Sequence, residues 1–250
     1  MRKFGLIGYP LGHSFSKKYF TEKFSRENLS DCSYENFPLT DIALFTALLK
    51  DETDLCGLNV TIPYKSEIIP YLDSISTEAL EIGAVNVIKF RRINEHLTLQ
   101  GFNSDVTGIF DSLSPYISPS LKNALVLGTG GSSKAVCYVL KKLNINIIQV
   151  SRKRKEGIIS YCDITSSVIE EAGLIVNTTP LGMFPSTEAF PDIDYNCLSD
   201  KHILFDLVYN PEVTSFLRKG SERGSIVLTG LKMLHSQAEK AWDIWNSETL

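Results

Sequence analysis

Apolar and polar positions change rhythm several times along the 250 residues. Two short runs, FGLIGY (4–9) and GLNVTI (57–62), are nearly continuous in apolar residues and of strand length, the pattern of strands covered on both faces. After Ser16 the spacing lengthens. Phe20 and Phe24 stand four apart, as on one face of a helix, and Thr40-Asp41 precede ALFTALLK with the hydroxyl and carboxylate favoured at a helix start. VNVIKFRR (85–92) and HLTLQGF (96–102), joined by Ile93-Asn94-Glu95, predict a β-hairpin. SDVTGIFDSL (104–113) predicts a helix with Ser104 or Asp105 at its N-cap. The polar, proline-bearing SPYISPSLKN (114–123) predicts a linker.

From Ala124 the pattern restarts with a strand (124–128), a glycine turn, a helix over about 131–142 and a strand, INIIQV (145–150). Further strands are predicted at GLIVNTT (173–179), ILFDLVY (203–209) and SIVLTG (225–230). Strands alternating with helices imply a parallel sheet covered on both faces. The last stretch, LKMLHSQAEKAWDIW (231–245), places Leu231, Leu234, Ala238, Ala241, Trp242 and Trp245 at helical spacing, so one face should pack on a core. The chain reads as two α/β domains.

Composition narrows the function classes. With 43% apolar, 22% charged and 10% aromatic residues, the chain has the make-up of a globular enzyme. No segment reaches the roughly 18 to 20 continuous apolar residues of a membrane span, and MRKFGLIGYP lacks the apolar core of a secretion signal. Cys32, Cys56, Cys137, Cys162 and Cys197 are odd in number and widely spaced, which disfavours a disulfide framework or a zinc site and points to a reduced cytoplasm. His13, His96, His202 and His235 show no metal-ligand spacing, so no metal is expected. A net charge of −4 argues against a general nucleic-acid binder.

The candidate chemistry starts at ALVLGTGGSSKA (124–135). In a strand–turn–helix unit a first glycine permits the tight turn, a second lets backbone N–H groups approach a pyrophosphate, and the helix dipole favours the anion. Gly128, Gly130 and Gly131 fit this, with Ser133 at the sixth position instead of glycine. A turn with spare glycines can also be unliganded. The next strand ends where a NAD site would carry an acid for the ribose, but the residues are Ser151-Arg152-Lys153-Arg154-Lys155. Arg152 is the principal candidate for gripping a 2′-phosphate, with Lys153 and Arg154 as helpers. A solvated basic loop is the alternative. In the first domain, polar groups stand at strand ends: Ser14 and Ser16, Asn59, Thr61 and Lys65, Asn86, and Asn103-Ser104-Asp105. Each has a plain structural use, as a helix cap, a turn residue or a surface lysine.

Taken in order, the stretches GHSFSKKYF, GLNVTIPYK, GAVNVI, GFNSDVTG, LGTGGSSKA, VNTTPLGM, DLVYNP and GLKMLHSQA make the chain resemble the shikimate dehydrogenase family, NADP-linked enzymes of aromatic amino-acid biosynthesis. The resemblance implies an N-terminal substrate domain (1–103 plus 231–250) and a Rossmann-like NADP domain (104–230), with a cleft between them. It implies reversible NADPH-dependent reduction of 3-dehydroshikimate to shikimate. Lys65 would be the acid/base, with Asp105. Ser14 and Ser16 would take the substrate carboxylate, and Thr61, Asn86, Asp105 and Gln237 its hydroxyls. Gly128, Gly130 and Gly131 would carry the cofactor phosphates, and Ser151, Arg152 and Lys153 would face the 2′-phosphate. Thr178, Met183, Tyr209 and Gly230 would line the nicotinamide side. The partner is then a small acid, with neither nucleic acid nor membrane involved, in a monomer or homodimer. SRKRKE departs from the family's Asn-Arg-Thr form. A relative using quinate as well as shikimate, another two-domain NADP enzyme such as a methylenetetrahydrofolate dehydrogenase, and a non-catalytic ligand sensor stand as alternatives.

Overall fold

The computed structural model describes residues 1–12, 15–94 and 96–248. It divides into two compact units, Met1–Ser104 with Ala238–Leu250, and Asp105–Gln237.

The first unit is built on a mixed sheet. Its strands are β1 (Arg2–Gly8), β2 (Cys32–Pro38), β3 (Leu55–Val60), β4 (Ser74–Ile75), β5 (Val87–Ile93) and β6 (His96–Phe102), in the order β2-β1-β3-β5-β6-β4. β1 runs parallel to β2 and β3, and β3, β5 and β6 are successively antiparallel. The β5–β6 hairpin pairs Ile93 with His96, so Ile93 belongs to the strand. Asn94 turns the chain at φ 49°, a left-handed conformation that Asn tolerates. The helices are α1 (Phe15–Arg26), α2 (Phe45–Asp51) and α3 (Thr77–Ile82). The Asp41 side chain accepts from Ala43 N and starts a 3₁₀ turn, Ile42–Leu44, that leads into α2. Alternation along β1 sends Phe4 and Leu6 into one core, with Phe20, Phe24, Ala238, Ala241 and Trp245. Ile7 goes into the other, with Phe45, Leu58, Val60 and Ile88.

The second unit opens with α4 (Asp105–Leu113). It continues through β7 (Asn123–Leu127), α5 (Gly131–Lys142), β8 (Asn146–Ser151), β9 (Ile158–Ser160), α6 (Ser166–Glu171), β10 (Leu174–Asn177), β11 (Ile203–Asp206), α7 (Ser215–Ser221) and β12 (Ile226–Leu228). All six strands are parallel, in the order β12-β11-β10-β7-β8-β9. Numbered within the unit and read from the β9 edge, this is 3-2-1-4-5-6, the doubly wound dinucleotide-binding order. Every residue of β10 and β11 is buried, which explains their uninterrupted apolar runs. Both strands stop earlier than their apolar runs suggest, at Asn177 and Asp206, whose side chains take over the bonding of the chain beyond.

α8 (Gly230–Asn246) contributes its start to the second unit and the remainder to the first. Its buried residues include Met233, Ala238, Ala241, Ile244 and Trp245. Among the described residues no helix is long and apolar enough to cross a membrane.

Candidate active site

In the first unit the polar groups gather where β1 and β3 end side by side. Thr61 N donates to Ile7 O at 2.9 Å and Tyr9 N to Ile62 O at 3.1 Å, lacing the two strand exits together. The half-buried Lys65 follows one turn later. Its carbonyl accepts from Val85 N at 2.7 Å, which fixes its backbone beside Asn86. Asn86, Asn103 and Ser104 are all buried. Asn86 Nδ2 donates to Ser104 Oγ at 3.0 Å, and Asn86 Oδ1 accepts from Ser104 N at 2.7 Å. Asn59 Nδ2 donates to Asn86 O at 3.3 Å, and Asn59 Oδ1 accepts from the Tyr34 hydroxyl at 2.8 Å. Ser16 in turn hydrogen-bonds Tyr34, whose phenol is pushed up by burial and drawn back by that bond.

The result is a continuous polar chain, Ser16–Tyr34–Asn59–Asn86–Ser104, running through the first unit. Such a chain survives burial only if its members satisfy one another, and it then holds them in one geometry. Tyr34 and the bridging use of Asn59 are not legible in the sequence. Tyr34 lies in CSYENFP, whose polar residues hide the strand. Ser14 lies outside the described residues. Asp105 and Gln237 are the residues at which the chain enters and leaves the second unit. Gln237 Nε2 donates to Leu234 O at 3.0 Å.

In the second unit the glycine turn leaves β7 at the point where the strand order reverses, between β8 and β10. Ligands of open α/β sheets sit at this place. Gly128 has φ +119°, and a side chain there would strike the hydroxyl of Thr178 at the end of β10. Thr178 Oγ1 is itself held by Leu127 O at 2.7 Å. Around Gly130 a Cβ would meet nothing within 4 Å, and Gly130 supplies no side-chain cap to α5. An anion therefore has space and backbone donors at the start of this helix.

Ser133, at the position of the third glycine, is fully buried. Its hydroxyl donates to Gly128 O at 2.7 Å, and Gln149 Nε2 donates to the same carbonyl at 3.0 Å and to Ser133 Oγ at 2.8 Å. Two donors hold that carbonyl inward, away from a bound anion. The only sequence signal of Gln149 is its polarity within INIIQV.

Ser151 ends β8, buried, with its hydroxyl bonded to the Lys153 carbonyl. Arg152 and Lys153 are exposed. Arg154 is engaged elsewhere: its guanidinium makes two bonds to Asp163, at 2.8 and 3.2 Å. It buttresses the loop, and the carboxyl of Asp163 is held low by Ser160 and by Arg154. The glycine turn and the exposed cations beyond β8 therefore suit a phosphorylated dinucleotide.

On the other side of the switch point stand Thr178, the 42%-exposed Met183 and the half-buried Tyr209. Gly230 is buried under Leu207 O and Val208 O, which would lie 2.6 and 2.8 Å from any Cβ, so its part is close backbone approach. His202 is buried and structural, with Nδ1 accepting from Ser199 N at 3.0 Å. No group of three or more His, Cys, Asp or Glu among the described residues is placed to hold a metal ion.

Comparison with known proteins bears on both units. Residues 6–88 match the family model of the shikimate dehydrogenase substrate binding domain. A shikimate dehydrogenase (NADP(+)) of Methanosphaera stadtmanae is 35% identical, over 98% of this chain and 91% of its own length. The chain belongs to the shikimate dehydrogenase family. Solved members superpose over nearly the whole chain. One crystallised in complex with NADP+ has a TM-score of 0.87 at 29% identity, covering 98% of this chain and 90% of its own. The Thermus thermophilus enzyme, crystallised with NADP(H) and shikimate, has a TM-score of 0.85 at 30% identity, covering 98% and 94%. The two-domain α/β architecture with a Rossmann-like half is the family's.

Proposed function

We propose that this chain catalyses the reversible NADPH-dependent reduction of 3-dehydroshikimate to shikimate. The observation that carries this reading is the open glycine turn at the switch point of the 3-2-1-4-5-6 sheet, followed one strand later by exposed cations where a NAD enzyme would carry an acid. It is supported by full-length similarity to enzymes described as using NADP and shikimate. The second unit is read as the NADP domain and the first as the substrate domain, each with the boundaries of its compact unit.

In this reading the bound nicotinamide supplies the hydride, and the protein binds, orients and moves a proton. Gly128, Gly130 and Gly131 present N–H groups to the pyrophosphate, while Ser133 and Gln149 hold the Gly128 carbonyl out of the way. Arg152 grips the 2′-phosphate, with Ser151 and Lys153 shaping the turn around it. Ser14 and Ser16 receive the substrate carboxylate, and Thr61, Asn86 and Gln237 its hydroxyls. Ser16 and Asn86 are held ready by the buried polar chain. Tyr209, Thr178, Met183 and Gly230 line the nicotinamide side. As negative charge grows on the carbonyl oxygen, the ammonium of Lys65 stabilises it and delivers the proton, with Asp105 as the second ionisable group. Shikimate oxidation runs the same path backwards and needs the neutral amine at Lys65.

The test is absorbance at 340 nm with purified protein, shikimate and NADP⁺, beside parallel reactions with NAD⁺ and with quinate. A rise confined to shikimate with NADP⁺ supports the reading. An equal rise with quinate or NAD⁺ replaces it with a broader-specificity enzyme, and no rise from folded protein replaces it with a ligand sensor.

A further inference from the structure

The second unit buries a carboxyl that the chemistry above does not use. Asp206 ends β11 and is 0% exposed. Beside it, in register on β10, stands Asn177, also 0% exposed. Asn177 Nδ2 donates to Asp206 Oδ1 at 3.0 Å, and Val208 N donates to the same oxygen at 3.0 Å. Thr214 Oγ1, eight residues along the chain, donates to Asp206 Oδ2 at 2.6 Å and closes the intervening loop upon its own base. Asn177 does the same for the other loop. Its Oδ1 accepts from Thr179 N at 3.1 Å and Thr179 Oγ1 at 2.7 Å, and its Nδ2 donates to Leu181 O at 3.3 Å. Further out the loops bond each other, Phe184 N to Asn210 O at 3.0 Å.

A carboxylate suits this place. It faces three donors, accepts at both oxygens and needs no acceptor of its own. Burial pushes its carboxyl up to about 6, against the pull of the bonds from Thr214, Val208 and Asn177. A buried charge held at such expense, where an apolar pair would pack, needs a use. The two loops it organises carry Thr178 and Met183 on one side and Tyr209 on the other.

We propose that Asp206 and Asn177 are positioning residues of the reaction, holding the two loops that line the nicotinamide side in the geometry hydride transfer requires. The inference rests on the proposed NADP site. Its effect should fall on turnover and spare the adenine end of the cofactor, because a misplacement of about 1 Å in the reacting groups costs on the order of 100-fold.

The experiment uses the full chain at pH 7.5. Binding of 2′-phospho-ADP-ribose, which lacks the nicotinamide, gives the affinity of the phosphate half and counts competent chains. Shikimate oxidation then gives kcat per competent chain. For Asp206→Ala, kcat per competent chain should fall about 10- to 100-fold while the affinity for 2′-phospho-ADP-ribose stays within about twofold. Asp206→Asn should recover most of the loss, because its amide can take the Oδ2 position and donate to Thr214, whose hydroxyl can turn to accept. Thr179→Val, which removes the bond to Asn177 Oδ1 and the one accepted from Leu181 N in a half-buried loop, should show the same selective loss on a smaller scale and serves if Asp206→Ala does not fold. Turnover per competent chain within about twofold of wild type in the alanine and valine variants overturns the proposal. An equal weakening of the fragment also overturns it, since that marks general loosening. If the wild-type chain binds neither NADP⁺ nor the fragment, the NADP reading fails, and this proposal with it.

Discussion

At the scale of single residues, Arg152 is the proposed selector of the cofactor. The other arginine of the basic run, Arg154, is tied to Asp163 at 2.8 Å, whereas Arg152 projects, exposed, from the end of β8. One charge-assisted contact to a phosphate is worth about 1.5 to 3 kcal/mol. Arg152→Ala should therefore lower kcat/KM for NADP⁺ by about 10- to 100-fold and leave the value for NAD⁺ nearly unchanged. Steady-state kinetics with both cofactors checks this, and equal losses with the two would refute the assignment. Sequence alone makes Arg152 the principal candidate and leaves Arg154 as a helper beside it. The partner that separates them, Asp163, lies nine residues away, across the turn into β9. Asn177 and Asp206 are hidden for another reason. A polar residue that ends an apolar run looks like a turn former, and only the pairing of β10 with β11 brings the two together.

At the scale of elements, β1, β3, β7, β10 and β11 are legible because they are mostly buried and their apolar runs are nearly continuous. β2 is not. It lies at the sheet edge, where Ser33, Glu35 and Asn36 interrupt the pattern. β4 and β9 have only two and three residues, too few to show a period. The helical stripe of α8 is plain, and the structure shows what it grips. Trp245 Nε1 donates to Ile88 O at 3.1 Å, and its ring stacks on Phe4 at 4.8 Å and lies against the bare backbone of Gly57. Trp245→Ala would leave a cavity and remove the bond to Ile88 O, at a cost of about 3 to 5 kcal/mol. Urea unfolding should show a lower midpoint by that measure, and an unchanged midpoint would mean that α8 is not anchored there.

At the scale of the whole molecule, composition and alternation point to two α/β domains, but strand order emerges only from three-dimensional pairing, and with it the switch point that makes the glycine turn meaningful. Burial also gives the fold a pH signature. Asp206 titrates near 6 when folded, above the ordinary aspartate value near 4, so its contribution is most favourable below about pH 4 and is lost as pH rises through about 6. The groups around it are Thr214, Asn177, the Val208 amide and Tyr195, whose phenol is raised by its own burial and by Asp206. Relative to wild type, Asp206→Asn should gain about 2 kcal/mol in unfolding free energy between about pH 4.5 and 8. Parallel stability curves for the two proteins would show that Asp206 does not titrate in this range. The central claim, proton transfer at Lys65 coupled to NADP chemistry on shikimate, is tested most directly by kcat of Lys65→Ala with NADP⁺ affinity measured on the same sample. The account predicts a fall in kcat of about 100-fold or more with NADP⁺ affinity unchanged. Unchanged turnover would contradict it.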